Sequence, residues 1–307
     1  MKTRTAAAAT WREPSSYDVL AAWAILILGS LLPEIVWNQF LGGSPAWLPW
    51  ARMGLLAAWL ALSFIIPPLR RLRAFSAVLL GLHAAAQALS QVHIDLSLLP
   101  AGGSNGVFLH NMLPEQANKL AVSLALLAVL LILGFRPAQM FLMRGHLRAP
   151  ITPVRWLGFP KADPWTSFGG QYSIYLALGV AAALWLTGGT TPAAMGAALP
   201  VLPAILFLAA LNAFNEEMVY RVSILATLEG AIGRRHAGWA SAVFFGVAHF
   251  YGVPGGWSGI LLATFMGWIL AKAMLETRGF FWAWWIHFLQ DVVIFFFIAA
   301  GSITPGG

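Results

Sequence analysis

The chain has 307 residues, of which 59% are hydrophobic and 9% charged. Soluble domains carry about 25% charged residues, so the composition reads as a polytopic membrane protein. No polar stretch is long enough to close a soluble core of its own. The net charge of +7 would suggest nucleic acid in a soluble chain. Here the basic residues fall between apolar runs, where a positive-inside bias accounts for them, and no nucleic-acid partner is expected. The absence of cysteine excludes disulfides, thiolate metal sites and a thiol nucleophile.

Taken in order, residues 1–16 form a basic tail, and the first apolar run, Tyr17–Trp37, reads as a retained signal anchor. Further runs near the length that crosses a bilayer follow at Trp47–Ile66, Ala74–Ile94, Ala117–Phe135, Gln171–Leu186, Leu199–Leu228, Ala237–Phe250, Gly259–Leu275 and Phe280–Ala300. The expectation is an all-α transmembrane bundle of about nine spans. Lys and Arg alternate with the connections: Lys2, Arg4 and Arg12; Arg70, Arg71 and Arg73; Arg136, Arg144, Arg148, Arg155 and Lys161; Arg234 and Arg235; Lys272 and Arg278. The odd-numbered connections hold Lys119 at most, with Arg52 just inside the second span. That alternation predicts N-in, C-out. Asp95–Gln116 reads as an outer loop, with Glu34 solvated and His83, His93, Asp95 and His110 as loop or span-end residues. The connection 136–170 carries Met140, Phe141, Leu142, Met143, Trp156 and Leu157 beside arginines, and reads as an interfacial segment. It divides a four-span region, 17–135, from a five-span region, 171–307. Trp37, Trp47, Trp50, Trp165 and Trp257 are candidates for an aromatic belt.

Charged residues interrupt the sixth run at Asn215-Glu216-Glu217-Met218-Val219-Tyr220-Arg221. Carboxylates at membrane depth must be paired, hydrated or functional. Glu217 and Arg221 stand at i and i+4, the favoured order for an ion pair on one helix. Glu216, about 100° away around the helix, has no partner there. Downstream, His249 lies in Phe245-Gly246-Val247-Ala248-His249, and His287 and Asp291 lie one turn apart in the last span. At 1.5 Å rise per residue, Glu216 and His249 come out roughly 20 and 18 Å above the ends of their spans, and His287 and Asp291 roughly 10 and 16 Å. The four residues can therefore meet in mid-membrane.

The motifs E-E-x-x-x-R, F-x-x-x-H and H-x-x-x-N/D, in this order and each in an apolar helix, resemble the CPBP (formerly Abi) family. That family includes CAAX prenyl protease 2 type enzymes, which are intramembrane glutamic proteases, and bacteriocin-immunity relatives. The resemblance covers Leu199 to Ala300. It implies Glu216 as the water-activating base, His249 as a holder of that water, and His287 with Asp291 as the pair stabilising the oxyanion. Glu217, Arg221 and Phe245 occupy supporting motif positions. Where better-studied relatives carry Asn, Asp291 would have to be protonated or else hold His287 as a charged donor.

The reading is an intramembrane endopeptidase acting on a peptide or membrane-protein segment in a lipid bilayer, as a multi-pass protein of a bacterial cell membrane. Prenylated substrates are not implied. No cofactor is expected. Zinc is the less favoured alternative, since H-E-x-x-H is absent and only two histidines and a carboxylate are on offer. The rival readings are a non-catalytic binding or immunity protein and a proton-coupled transporter using Glu216, Glu217 and Arg221. Structural readings stand beside these: an ion pair for Glu217–Arg221, a helix–helix hydrogen bond for His249, an intrahelical pair for His287–Asp291.

Overall fold

The computed structural model describes residues 13–92 and 103–301. Among them the fold is a bundle of eleven α-helices, and the β pairing is confined to two isolated bridges, Pro150–Pro164 and Val154–Phe159. His93, Asp95 and most of the N-terminal tail lie outside the described residues.

Helix α1 (Ser16–Gly29) starts on a capping box. The Asp18 N–H donates to the Ser15 hydroxyl at 3.2 Å, and the Ser15 N–H donates to Asp18 Oδ2 at 2.9 Å. Helix α2 (Leu32–Leu41) follows with Pro33 in its first turn, bent by 57° from α1. Then come α3 (Leu48–Ile65), α4 (Arg73–Leu89) and α5 (Gly103–Ile132). The back half holds α6 (Trp165–Thr187), α7 (Pro192–Ala198), α8 (Leu202–Glu217), α9 (Ser223–Ala248), α10 (Gly256–Thr277) and α11 (Phe281–Ala299).

Among the described residues, seven helical stretches are long and apolar enough to cross a membrane, or eight if the bent α1–α2 pair is one span. The longest, 192–251, is not straight. Gly233 sits at φ 80°, ψ 158°, far from helical values and open to glycine without steric penalty. Beyond it the chain turns back. The Ser241 hydroxyl donates to the Tyr220 carbonyl at 2.7 Å, and the Phe244 and Phe245 rings lie 5.5 and 5.3 Å from that of Tyr220. Residues twenty-one apart on one straight helix would stand about 30 Å apart. The two limbs of α9 are therefore antiparallel, which returns the nine segments read from hydropathy. The turn is pinned by Glu229, whose carboxylate takes Arg278 Nη1 at 2.6 and 2.8 Å.

Several expectations need correction. Helix α5 begins at Gly103, so the second half of the expected outer loop is helical. Its Phe108 and Met112 are buried against Ile205 and Leu208 of α8 and Phe295 of α11. Glu34 is not simply solvated: its Oε1 pairs with Arg52 Nη2 at 2.5 Å, and the Arg52 side chain is 5% exposed. His83 lies within α4 and reaches the Gly29 carbonyl at the α1–α2 bend, 2.9 Å from Nε2. Trp165 is wholly buried, because its indole N–H finds Glu276 at 3.0 Å. Trp47, Trp50 and Trp257 stay exposed, as a belt requires. In the 136–170 connection Met140 and Phe141 are buried in the protein core, while Met143 and Trp156 are exposed. The connection is tied to the α10–α11 turn by His146 N–H to Thr277 O (2.7 Å) and Phe280 N–H to Met143 O (2.7 Å).

Candidate active site

Between α8 and α9 the helix opens into one π-helical turn, Met218–Val222, directly after the two glutamates. Such turns are frequent at functional sites, since the widened ring re-aims the residues beside it. Glu217 immediately precedes this turn, Arg221 lies within it, and both are fully buried. Glu217 Oε1 stands 3.4 Å from Arg221 Nη1, as an ion pair rather than a close hydrogen bond. The guanidinium also lies 3.8 Å over the Phe245 ring, a cation–π contact in a dry setting.

Phe245 is the hinge of the cluster. Its ring packs against His249 (4.1 Å between centroids) and His287 (5.6 Å), and its carbonyl faces His249 Nδ1 at 2.8 Å. A carbonyl only accepts, so Nδ1 carries the proton and Nε2 of a neutral His249 keeps its lone pair. His249 stands where the α9 helix gives way to a short 3₁₀ turn.

His287 comes from α11 and is almost fully buried. Its Nδ1 is 2.8 Å from Glu217 Oε1. Its Nε2 is 3.5 Å from Glu216 Oε2 and 3.7 Å from Asp291 Oδ2. The carboxylate read as a support is thus the one bonded to the imidazole, and the one read as the base faces the other ring nitrogen. Trp284 Nε1 donates to the Ala210 carbonyl at 3.0 Å, holding α11 against α8 at this level.

Sequence reasoning missed the second half of the network. Lys119, counted as a connection residue, projects from α5 to Glu216 Oε1 at 3.0 Å, Asn212 Oδ1 at 2.8 Å and Glu115 Oε1 at 2.8 Å. Gln116 Nε2 donates to the same Asn212 oxygen at 2.9 Å. An ammonium can only donate, which fixes the Asn212 amide: its oxygen faces Lys119, and its Nδ2 donates to Asp291 Oδ2 at 3.0 Å. Ser123, one turn on, donates to the Asn215 carbonyl. The signal available in the sequence was Gln116, Lys119 and Ser123 at helical spacing, leading into the apolar run of the fourth span.

Two cavities meet at this cluster. The larger, about 950 Å³, runs between α6 and α10 with α11 at its back. His249, His287 and Asp291 reach it through walls of Leu176, Leu262 and Met266. The smaller, about 330 Å³, lies between α4, α5 and α8 and is lined by Glu115, Lys119, Glu216 and Tyr220. Glu216 and His287 form part of the partition. Among the described residues, no group of three or more His, Asp or Glu side chains is arranged to hold a metal ion.

The class of protein these features define is a polytopic helical membrane protein with a buried carboxylate–imidazole centre. Residues 198–293 match the model of the Rce1-like family, described as type II CAAX prenyl endopeptidase Rce1-like. That match contains all three motifs and bears out the resemblance they carry. The back half of this integral membrane protein thus contains a segment similar to CAAX-type membrane endopeptidases, and the front spans lie outside the match. Comparison with curated proteins and with solved structures found no match.

Proposed function

We propose that the protein is an intramembrane endopeptidase in which Glu216 activates water for attack on a peptide bond. The observation that carries this reading is the approach of Glu216 Oε2 to His287 Nε2, 3.5 Å apart, with Glu216 lining the small cavity and His287 the large apolar one. Amide hydrolysis needs a base for the water, a donor for the oxyanion and a proton for the leaving amine. Glu216 supplies the first. His249, with Nδ1–H committed to Phe245, offers an Nε2 lone pair to hold the water.

His287 can donate from Nε2 only when both ring nitrogens carry protons, because Nδ1–H is already used on Glu217. Charge balance favours that form. Glu115, Glu216, Glu217 and Asp291 bring four carboxylates, and Lys119 and Arg221 bring two positive charges. An imidazolium at His287 lowers the remaining excess of negative charge, the direction a low-dielectric site favours. Asp291, accepting from Asn212, then acts by keeping His287 charged rather than by donating to the oxyanion itself. Of the two roles open to Asp291 in the sequence, this geometry favours the second.

The substrate is a peptide or membrane-protein segment seated in the 950 Å³ cavity, whose apolar walls suit a chain arriving from the bilayer. Catalysis is metal-independent, and the protein sits N-in, C-out in a bacterial cell membrane. The test is cleavage of membrane peptides by the purified protein in liposomes. Glu216→Gln is expected to lower kcat by about 10³-fold or more, in the range for loss of a general base, with folding intact. Cleavage that survives this change would defeat the reading. Proton-coupled flux without cleavage would favour a transporter, and partner binding without cleavage an immunity-type protein.

A further inference from the structure

We infer that Lys119, supplied by α5 outside the matched segment, is a positioning residue of the catalytic centre. The inference rests on Glu216 being the base. Lys119 Nζ contacts Glu216 Oε1 at 3.0 Å, which leaves Oε2 as the oxygen turned toward His287. The same ammonium holds Asn212 Oδ1 at 2.8 Å and thereby turns the Asn212 amide nitrogen onto Asp291. One cation thus sets the orientation of both carboxylates that face His287 Nε2. Glu115, one turn before it, holds the ammonium from the far side at 2.8 Å. Gln116 doubles the grip on Asn212, so α5 and α8 are locked in register at the level of the base.

Among the described residues, the other side chain paired with Glu216 is His287, at Oε2, and Lys119 is the cation at Oε1. Arg221 is engaged with Glu217 and Phe245 on the other side of the π turn. This gives the front spans a defined part in the chemistry: α5 supplies the cation at Glu216 Oε1, while His287 of the matched segment stands at Oε2. Misplacing a reacting group by about 1 Å costs on the order of 10²-fold in rate. Because Lys119 lines the small cavity and not the large one, its loss falls on kcat rather than on substrate binding.

The experiment combines kinetics with a double-mutant cycle. Lys119→Met, Glu216→Gln and the double variant are compared by thermal unfolding in detergent, and Lys119→Met and Lys119→Arg by kcat and KM. The expected result is Tm shifts that fail to add, a kcat lowered about 10²-fold in Lys119→Met with KM little changed, and partial recovery in Lys119→Arg. Additive Tm shifts overturn the inference whether or not a substrate has been found. A Lys119→Met protein with parental or higher kcat overturns it as well, the latter marking the lysine as a brake. Coupled Tm shifts in a protein that cleaves nothing would sink the protease reading while upholding the Lys119–Glu216 link. Should Lys119→Met fail to fold, Lys119→Gln, neutral but still able to donate to Asn212, takes its place.

Discussion

His287 is bonded through Nδ1 to Glu217, 2.8 Å away, and only its second nitrogen is left for Glu216. Adjacent glutamates on one helix therefore do different things to one imidazole. Glu217 orients it through Nδ1; Glu216 stands at Nε2. The π turn and the full burial of Arg221 make this division possible, since Glu217 must satisfy a guanidinium and a ring at once.

That double duty predicts an asymmetry between the two glutamates. Glu217→Gln removes the counter-charge of a buried Arg221, a change that costs about 3–5 kcal/mol when one partner of a buried pair is lost. The expected outcome is a large fall in Tm together with loss of activity. Adding Arg221→Met should restore much of the Tm without restoring kcat. Recovery of both would show that Glu217 acts on Arg221 alone.

A second prediction concerns the seat of His249. A Cβ at Gly246 would collide with Thr264 Oγ1 and would stand 2.7 Å from the Ile260 carbonyl, so α9 and α10 pack there without room for a methyl group. Gly246→Ala must push the two helices apart, at a cost of about 1–3 kcal/mol. Since His249 lies three residues on, kcat should fall beyond what reduced stability explains. Measuring kcat well below the variant's Tm separates the two effects, and an unchanged rate would show that His249 is not set by this contact.

The metal question has its own test. The Nδ1 atoms of both histidines are spent on Glu217 and on the Phe245 carbonyl. The carboxylates around His287 Nε2 are held by Lys119 and by Asn212. Treatment with strong chelators is expected to leave cleavage unchanged, and elemental analysis of active protein to find zinc well below stoichiometric. Stoichiometric zinc whose removal abolishes activity would replace the glutamate mechanism with a metal-assisted one.

Orientation can be checked without background labelling, because the chain has no cysteine. Ala162 in the 136–170 connection and Ser44 between α2 and α3 are both exposed. With the N-terminus inside, an impermeant thiol reagent added outside cells should modify Ser44→Cys and not Ala162→Cys. The reverse pattern would invert the topology while leaving the bundle as described.

Much of this protein was legible in the chain alone. Apolar runs, their breaks and the acidic, basic and imidazole residues inside them follow from hydropathy and helical spacing, which are local properties and survive without any knowledge of neighbours. The three motifs could be placed at one depth by counting residues, and Glu216, His249, His287 and Asp291 do fall around one cluster. Tertiary structure alone decided the rest: that Glu217 rather than Glu216 takes the imidazole N–H, and that Lys119 crosses from the front spans to Glu216. Those contacts depend on how each helix is rotated and slid against its neighbours. Packing across the bundle sets that register, and no single helix carries it.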